Sequence, residues 1–161
     1  MYHLSYLMNS NTSKDRDNEY DLALKNLFHG EIMERASAAR LIGRFKEGRA
    51  TNLLARALRL EKDPIVINRI IEAMGEIKNA KATLRIVELL KKELEKPEDE
   101  QDKTRLFLII ESLMKIGDKR ALEHLGILLS SCDSDIRKLT ESAYECIDPN
   151  WKVNLAKSNK I

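Results

Sequence analysis

The sequence predicts an all-α protein: an α-solenoid, a short right-handed superhelical stack of about four helix pairs with capping helices at both ends. Three observations predict it. Residues 70–90, beginning Ile70-Ile71-Glu72-Ala73-Met74-Gly75, recur without a gap at 109–129, which is 39 positions on. Self-similarity at a period of about 20–50 residues marks proteins built from stacked supersecondary units. Pro (3) and Gly (6) are scarce in the 161 residues, so few turns need unusual backbone angles. Charged residues make up 34% and aromatics 5%, the balance of exposed, charge-laced helices.

The elements follow in order. Residues 1–18 read as a flexible leader, because Asn9 to Asn18 contains no apolar residue to bury and the preceding Tyr2, Leu4, Tyr6, Leu7 and Met8 are left loose. A first helix spans roughly Tyr20 to Phe28, with Tyr20, Leu24, Leu27 and Phe28 on one face and Gly30 ending it. One domain then covers residues 19–155 in units of about 31–60, 61–97, 98–130 and 131–155, followed by a tail at 156–161. Shifted by 32, Gly43 falls under Gly75, Phe45 under Ile77, Ala50 under Ala82, Leu54 under Ile86 and Leu58 under Leu90.

The second unit opens at Asp63-Pro64, an N-cap followed by Pro at the first helical position, and its second helix runs from near Asn79 to about Leu94. The third opens beyond the charged stretch Glu95 to Lys103 and turns at Gly117-Asp118. The fourth opens at Asp133, with Ile136 and Ile147 under Val66 and Ile77 at a shift of 70. Asp148-Pro149 then starts one more short helix carrying Trp151 and Leu155, with Trp151 as a lid on the array. Each unit reads as two antiparallel helices. Small residues (Ala38, Ala39 and Gly43; Ala73 and Gly75; Ser112; Ala143) collect in the first helix, where close approach demands them.

Asp135-Ile136-Arg137, Gly117-Asp118-Lys119-Arg120-Ala121 and the closing Leu-Leu carry a resemblance to HEAT-like repeats. More closely, the pattern resembles the short type named for phycobilisome lyases, over about residues 31–151. The resemblance implies the fold and second helices on the concave side; its consensus is structural and names no reaction.

Composition limits the function classes. The net charge of +2 implies no acidic partner by itself, although residues 31–60 carry a local +4 and residues 98–129 a local −2. Cys132 and Cys146, 14 apart, make neither a zinc ribbon nor a disulfide framework, and Cys146 is expected on the core side or flank of its helix. There is no run of about 18 apolar residues and no signal-peptide pattern, so a cytoplasmic protein without membrane partners is expected. Some helical-repeat relatives are di-iron hydroxylases with adjacent His-Glu pairs. Here none of His3, His29 and His124 precedes a Glu, and His124 reads as an exposed helix residue. No catalytic constellation, cofactor or metal is expected, and one Trp offers no aromatic pocket for a tetrapyrrole.

Two binding readings remain. With second helices lining the concave side, as the resemblance implies, Arg49, Lys81 and Arg120 form a ladder extended by Arg56, Arg59, Arg85 and Lys91, a ridge that could meet phosphates. Glu88 and Glu123 interrupt it, stacking aromatics are missing, and the Arg49/Lys81/Arg120 slot belongs to the consensus itself. Leu53, Leu84 and Ile127 lie beside the ladder, outside the positions needed for the core, and apolar residues beside arginines suit a partner protein. The expected function is therefore a non-catalytic protein-interaction scaffold or adaptor. Its candidate partner-binding residues are Arg49, Leu53, Arg56, Leu84, Arg85, Arg120 and Ile127. A nucleic-acid-binding module and an accessory subunit of a lyase or other modifying enzyme are the alternatives. Places where the copies disagree, Asn52/Leu84/Glu123, Leu53/Arg85/His124 and Arg56/Glu88/Ile127, are where a specific partner is expected to be read.

Overall fold

The computed structural model describes residues 3–158, with side chains from residue 12 onward, and all its regular elements are helical. Among the described residues the α-helices are α1 (His3–His29), α2 (Ile32–Phe45), α3 (Thr51–Leu60), α4 (Pro64–Ile77) and α5 (Thr83–Leu94). They continue with α6 (Lys103–Ile116), α7 (Leu122–Leu125), α8 (Ser134–Ile147) and α9 (Trp151–Ser158). Single 3-10 turns at Gly48–Ala50, Ala80–Ala82 and Lys119–Ala121 lead into α3, α5 and α7.

Local chemistry sets these boundaries. The Asp63 carboxylate accepts the Ile65 and Val66 N–H groups at 2.9 and 3.3 Å, and Asp133 accepts those of Asp135 and Ile136 at 2.9 and 3.1 Å. Asp102 accepts the Arg105 N–H at 3.0 Å. These bonds satisfy N–H groups that a helix start leaves unpaired. At the other end α2, α4 and α6 each stop on a left-handed residue, Lys46 (φ 54°), Lys78 (φ 58°) and Gly117 (φ 74°). The three copies therefore end alike, although only the third uses the residue that adopts this conformation without a Cβ penalty.

Packing is sequential. α1 lies on α2, α2 on α4, α4 on α6 and α6 on α8, while α3 packs on α4 and α5 on α6. Each second helix thus leans on the first helix of the next unit, and α3 and α5 also meet the 3-10 turn that follows that helix. The row of first helices is in backbone contact. A Cβ at Gly43 would lie 2.8 Å from the Ala73 Cα, and one at Gly75 would lie 2.9 Å from the Ser112 Cα. Ser112 uses the closeness to donate its hydroxyl to the Ile71 carbonyl at 3.0 Å inside the core. Between the rows lies a continuous core that includes Ile42, Leu54, Ile70, Ile86, Leu90, Ile110 and Leu125, all fully buried.

The structure departs from the sequence reading at four places along these elements. Over residues 3–18 the expected leader is the first part of α1. Residues 12–18 bury little, but the helix is anchored by Tyr20, Ala23 and Leu27 and held further out by Arg16, 5.2 Å above the Phe45 ring and 4.0 Å from Glu47. Residues 1–2 and the side chains of Tyr2, Leu4, Tyr6, Leu7 and Met8 lie outside what is described. The second helix of the third unit shortens to α7 and a 3-10 stretch, Gly126–Ser130, at a glycine whose Cα faces the Tyr144 hydroxyl. Tyr144 in turn donates to the Leu122 carbonyl, so α8 reads the end of this element directly. Cys146 is exposed, because Ala143, Tyr144 and Ile147 take the buried positions of α8. The tail is helical through Ser158; Trp151 does lean on Tyr144, ring centroids 5.0 Å apart, but Leu155 is exposed. No described helix is long and apolar enough to cross a membrane.

Candidate functional site

Most of the arginines expected to form a ladder are engaged within the fold. Arg49 pairs with Glu47 and lies 4.6 Å over the Tyr20 ring, which meets Phe45 edge-on at 5.3 Å. With Arg16 and Glu47 this makes a staple between α1 and the turn after α2. Arg56 lies 5.5 Å over the Phe28 ring, again tying the second row to α1. Arg85 pairs at 3.1 Å with Glu88, one turn along its own helix. Arg120 donates to Asp118 at 2.9 and 2.6 Å and to the Ala80 carbonyl at 3.0 Å, clamping two successive turns together.

Asp118 shows what that clamp is worth. The Arg120 guanidinium first, and then the Arg120 N–H, hold its carboxyl down to about 2 against an ordinary 3.8. A carboxyl depressed on folding stabilises the fold above its unfolded value, and the contribution fades as pH falls from about 4 to 2. The side chain is only 12% exposed, so Asp118→Asn is expected to cost about 1–2 kcal/mol at neutral pH. Urea titrations at pH 7 and pH 2.5 check this: the gap between variant and parent should shrink at the lower pH, and an equal gap at both would refute it.

The apolar candidates are not brought together. Leu84 on α5 is 50% exposed, Ile127 on the 3-10 stretch is 61% exposed, and Leu53 on α3 is half-buried. Ile127 borders a small hollow with Leu94, Leu128, Glu98 and Gln101 that includes neither of the others. His124, expected to be exposed, is half-buried on α7. Among the described residues no group of three His, Cys, Asp or Glu side chains is arranged to hold a metal ion.

A larger feature lies on the opposite row. An apolar trough of about 450 Å³ between α1 and α2 is lined by Leu22, Ala23, Met33, Ala38 and Leu41. It shares Glu19 and Leu41 with a shallower segment that reaches Arg16, Arg44 and Phe45. That segment shares Arg44 with a charged cleft of about 300 Å³ across α2, α4 and α6. The three hollows, linked by these shared residues, make up a grooved surface that flanks α2 on both sides, the trough toward α1 and the cleft toward α4 and α6.

The groove follows from the small residues. Where Gly43 meets Ala73 and Gly75 meets Ser112, the helices come so close that longer side chains on either side stand up as walls. The walls are Arg40 and Arg44 on α2, Arg69, Glu72 and Glu76 on α4, and Leu108, Glu111 and Lys115 on α6. Arg69 pairs with Glu72 at 2.7 Å and Lys115 with Glu76 at 2.5 Å. The Lys115 bond, with Lys46 and Lys78 nearby, lowers the Glu76 carboxyl below the usual range.

A sequence signal for this surface existed. At the shifts of 32 and 39 three slots align: Ser37/Arg69/Leu108, Arg40/Glu72/Glu111 and Arg44/Glu76/Lys115. All nine of these residues line the groove, and no slot keeps its chemistry through all three copies. No protein-family model matches the chain, and no curated protein matches it significantly.

Proposed function

We propose that the chain is a non-catalytic protein-interaction module, a short HEAT-like α-solenoid that holds its partner along the row of first helices. The observation that carries this reading is the groove: its three slots vary from copy to copy while the core beneath repeats. Slots that differ between copies and gather around adjoining hollows offer a partner distinct chemistry at each step. The curvature agrees. Close approach of the first helices, at Gly43 to Ala73 and at Gly75 to Ser112, supports a stack that bends toward the first row. The other candidate contacts are Arg49, Leu53, Arg56, Leu84, Arg85, Arg120 and Ile127 on the second row; the four arginines have partners within the fold, and Ile127 borders a hollow that holds neither Leu53 nor Leu84, which favours the first row. Arg49 and Arg120 are ion-paired within the fold, which weakens the centre of the basic ridge that nucleic acid would meet.

Affinity capture with paired variants tests the proposal. Met33→Asp with Arg44→Glu alters the groove at exposed positions; Leu84→Asp with Ile127→Asp alters the second row. Specific partners are expected to be lost from the first pair of changes and kept by the second. Capture unchanged by the groove variant, with the fold intact by circular dichroism, would overturn the assignment.

A further inference from the structure

The groove is chemically lopsided, and that identifies the kind of segment it takes. On its α4 and α6 walls two of the cations are already neutralised: Arg69 by Glu72 and Lys115 by Glu76. Arg40 and Arg44 differ. Neither has a carboxylate within ion-pairing distance among the described residues, although both line the cleft. They stand four residues apart on α2, one helical turn or about 6 Å along its axis. The same helix presents Met33 and Leu41 on its other flank, into the trough shared with Leu22 of α1. Met33 is 66% exposed and Leu22 58% exposed, an unusual cost for two large apolar side chains framing one hollow.

We infer that the groove binds an acidic amphipathic peptide segment of a partner protein. Such a segment sets large apolar side chains between Leu22 and Met33 and directs two carboxylates, three or four residues apart, onto Arg40 and Arg44. Arginine suits this task because its fork meets a carboxylate in two parallel hydrogen bonds. Glu19 and Glu34 line the trough and Glu111 lines the cleft, so a partner's carboxylates are disfavoured beside them, which helps set the register. The same carboxylates oppose a nucleic-acid backbone, whose phosphates would run past them, and the apolar trough offers it nothing. The inference rests on the interaction-module reading and adds the class of partner.

A random twelve-residue peptide display library, selected on the full chain, is the probe. Enriched sequences are expected to hold at least two Asp or Glu at a spacing of three or four beside large apolar residues. By fluorescence anisotropy their affinity should fall at least about tenfold in Arg40→Glu, Arg44→Glu and in Met33→Asp, and by a smaller but measurable factor in Arg40→Lys, Arg44→Lys, which keeps the charges and loses the forks. Matching melting temperatures separate lost binding from lost folding. Enrichment of neutral peptides that still depend on Met33 would overturn the acidic class and leave the module reading standing. Peptides that depend on Leu84 and Ile127 would overturn the groove itself, and no enrichment at all would count against both. Concentration-dependent self-association abolished by Met33→Asp would replace the peptide with a second copy of this chain.

Discussion

Gly75→Val is expected to destabilise the protein by about 3 kcal/mol, at the upper end for overpacking a close helix contact. The first atom added at this position would lie 2.7 Å from the Ser112 hydroxyl and 2.9 Å from the Ser112 Cα and Cβ. The Cα belongs to the backbone of α6, which cannot rotate aside as a flexible side chain can. α4 and α6 must separate, and the buried bond from Ser112 to the Ile71 carbonyl breaks with them. The buried Ser112 hydroxyl then loses its acceptor, which adds about 1–3 kcal/mol of its own, and the better helix propensity of valine over glycine only partly offsets it. Gly48→Ala is the control. Its added Cβ meets only the Asn79 side-chain nitrogen, at 3.3 Å, and the urea midpoint should barely move. Equal midpoints for Gly75→Val and the parent would show that the first row is not held by backbone contact.

Ile110→Ala should have the other large effect, about 2–5 kcal/mol for a fully buried isoleucine truncated in a well-packed core. α6 is packed against α4, α5 and α8, so the cavity opens where several elements meet. In an array where each unit touches only its neighbours, a weakened interior unit uncouples the elements beyond it. Amide exchange should therefore quicken in α6 and α8 before α2. Uniform quickening along the chain would point to one indivisible core instead.

The unit boundaries were legible because they are local. Asp63, Asp102, Asp118 and Asp133 cap the elements that follow them wherever the rest of the chain goes, and the 39-residue echo fixes their spacing. The shortening at Gly126 was less legible, since it depends on a tyrosine 18 residues further on. The destinations of the arginines were not legible at all. Arg49, Arg56 and Arg120 find Tyr20, Phe28 and Ala80 across distances that no helical period encodes. The groove was half legible. Gly43, Ala73, Gly75 and Ser112 marked a close approach, but which row is tighter follows only from setting α2, α4 and α6 side by side. The copies differ on both rows, at Asn52/Leu84/Glu123 as at Arg40/Glu72/Glu111, but only the first row sets such residues around one cleft.

Sequential packing also has a consequence for how the chain acquires its shape. The longest side-chain hydrogen bonds among the described residues, Arg105 to Pro64 and Ser112 to Ile71, close loops of 41 residues, and each helix lies on one from the unit before. Contacts so near in sequence cost little loop-closure entropy and favour fast folding. Each unit can settle on its predecessor as it leaves the ribosome, without waiting for the far end of the chain.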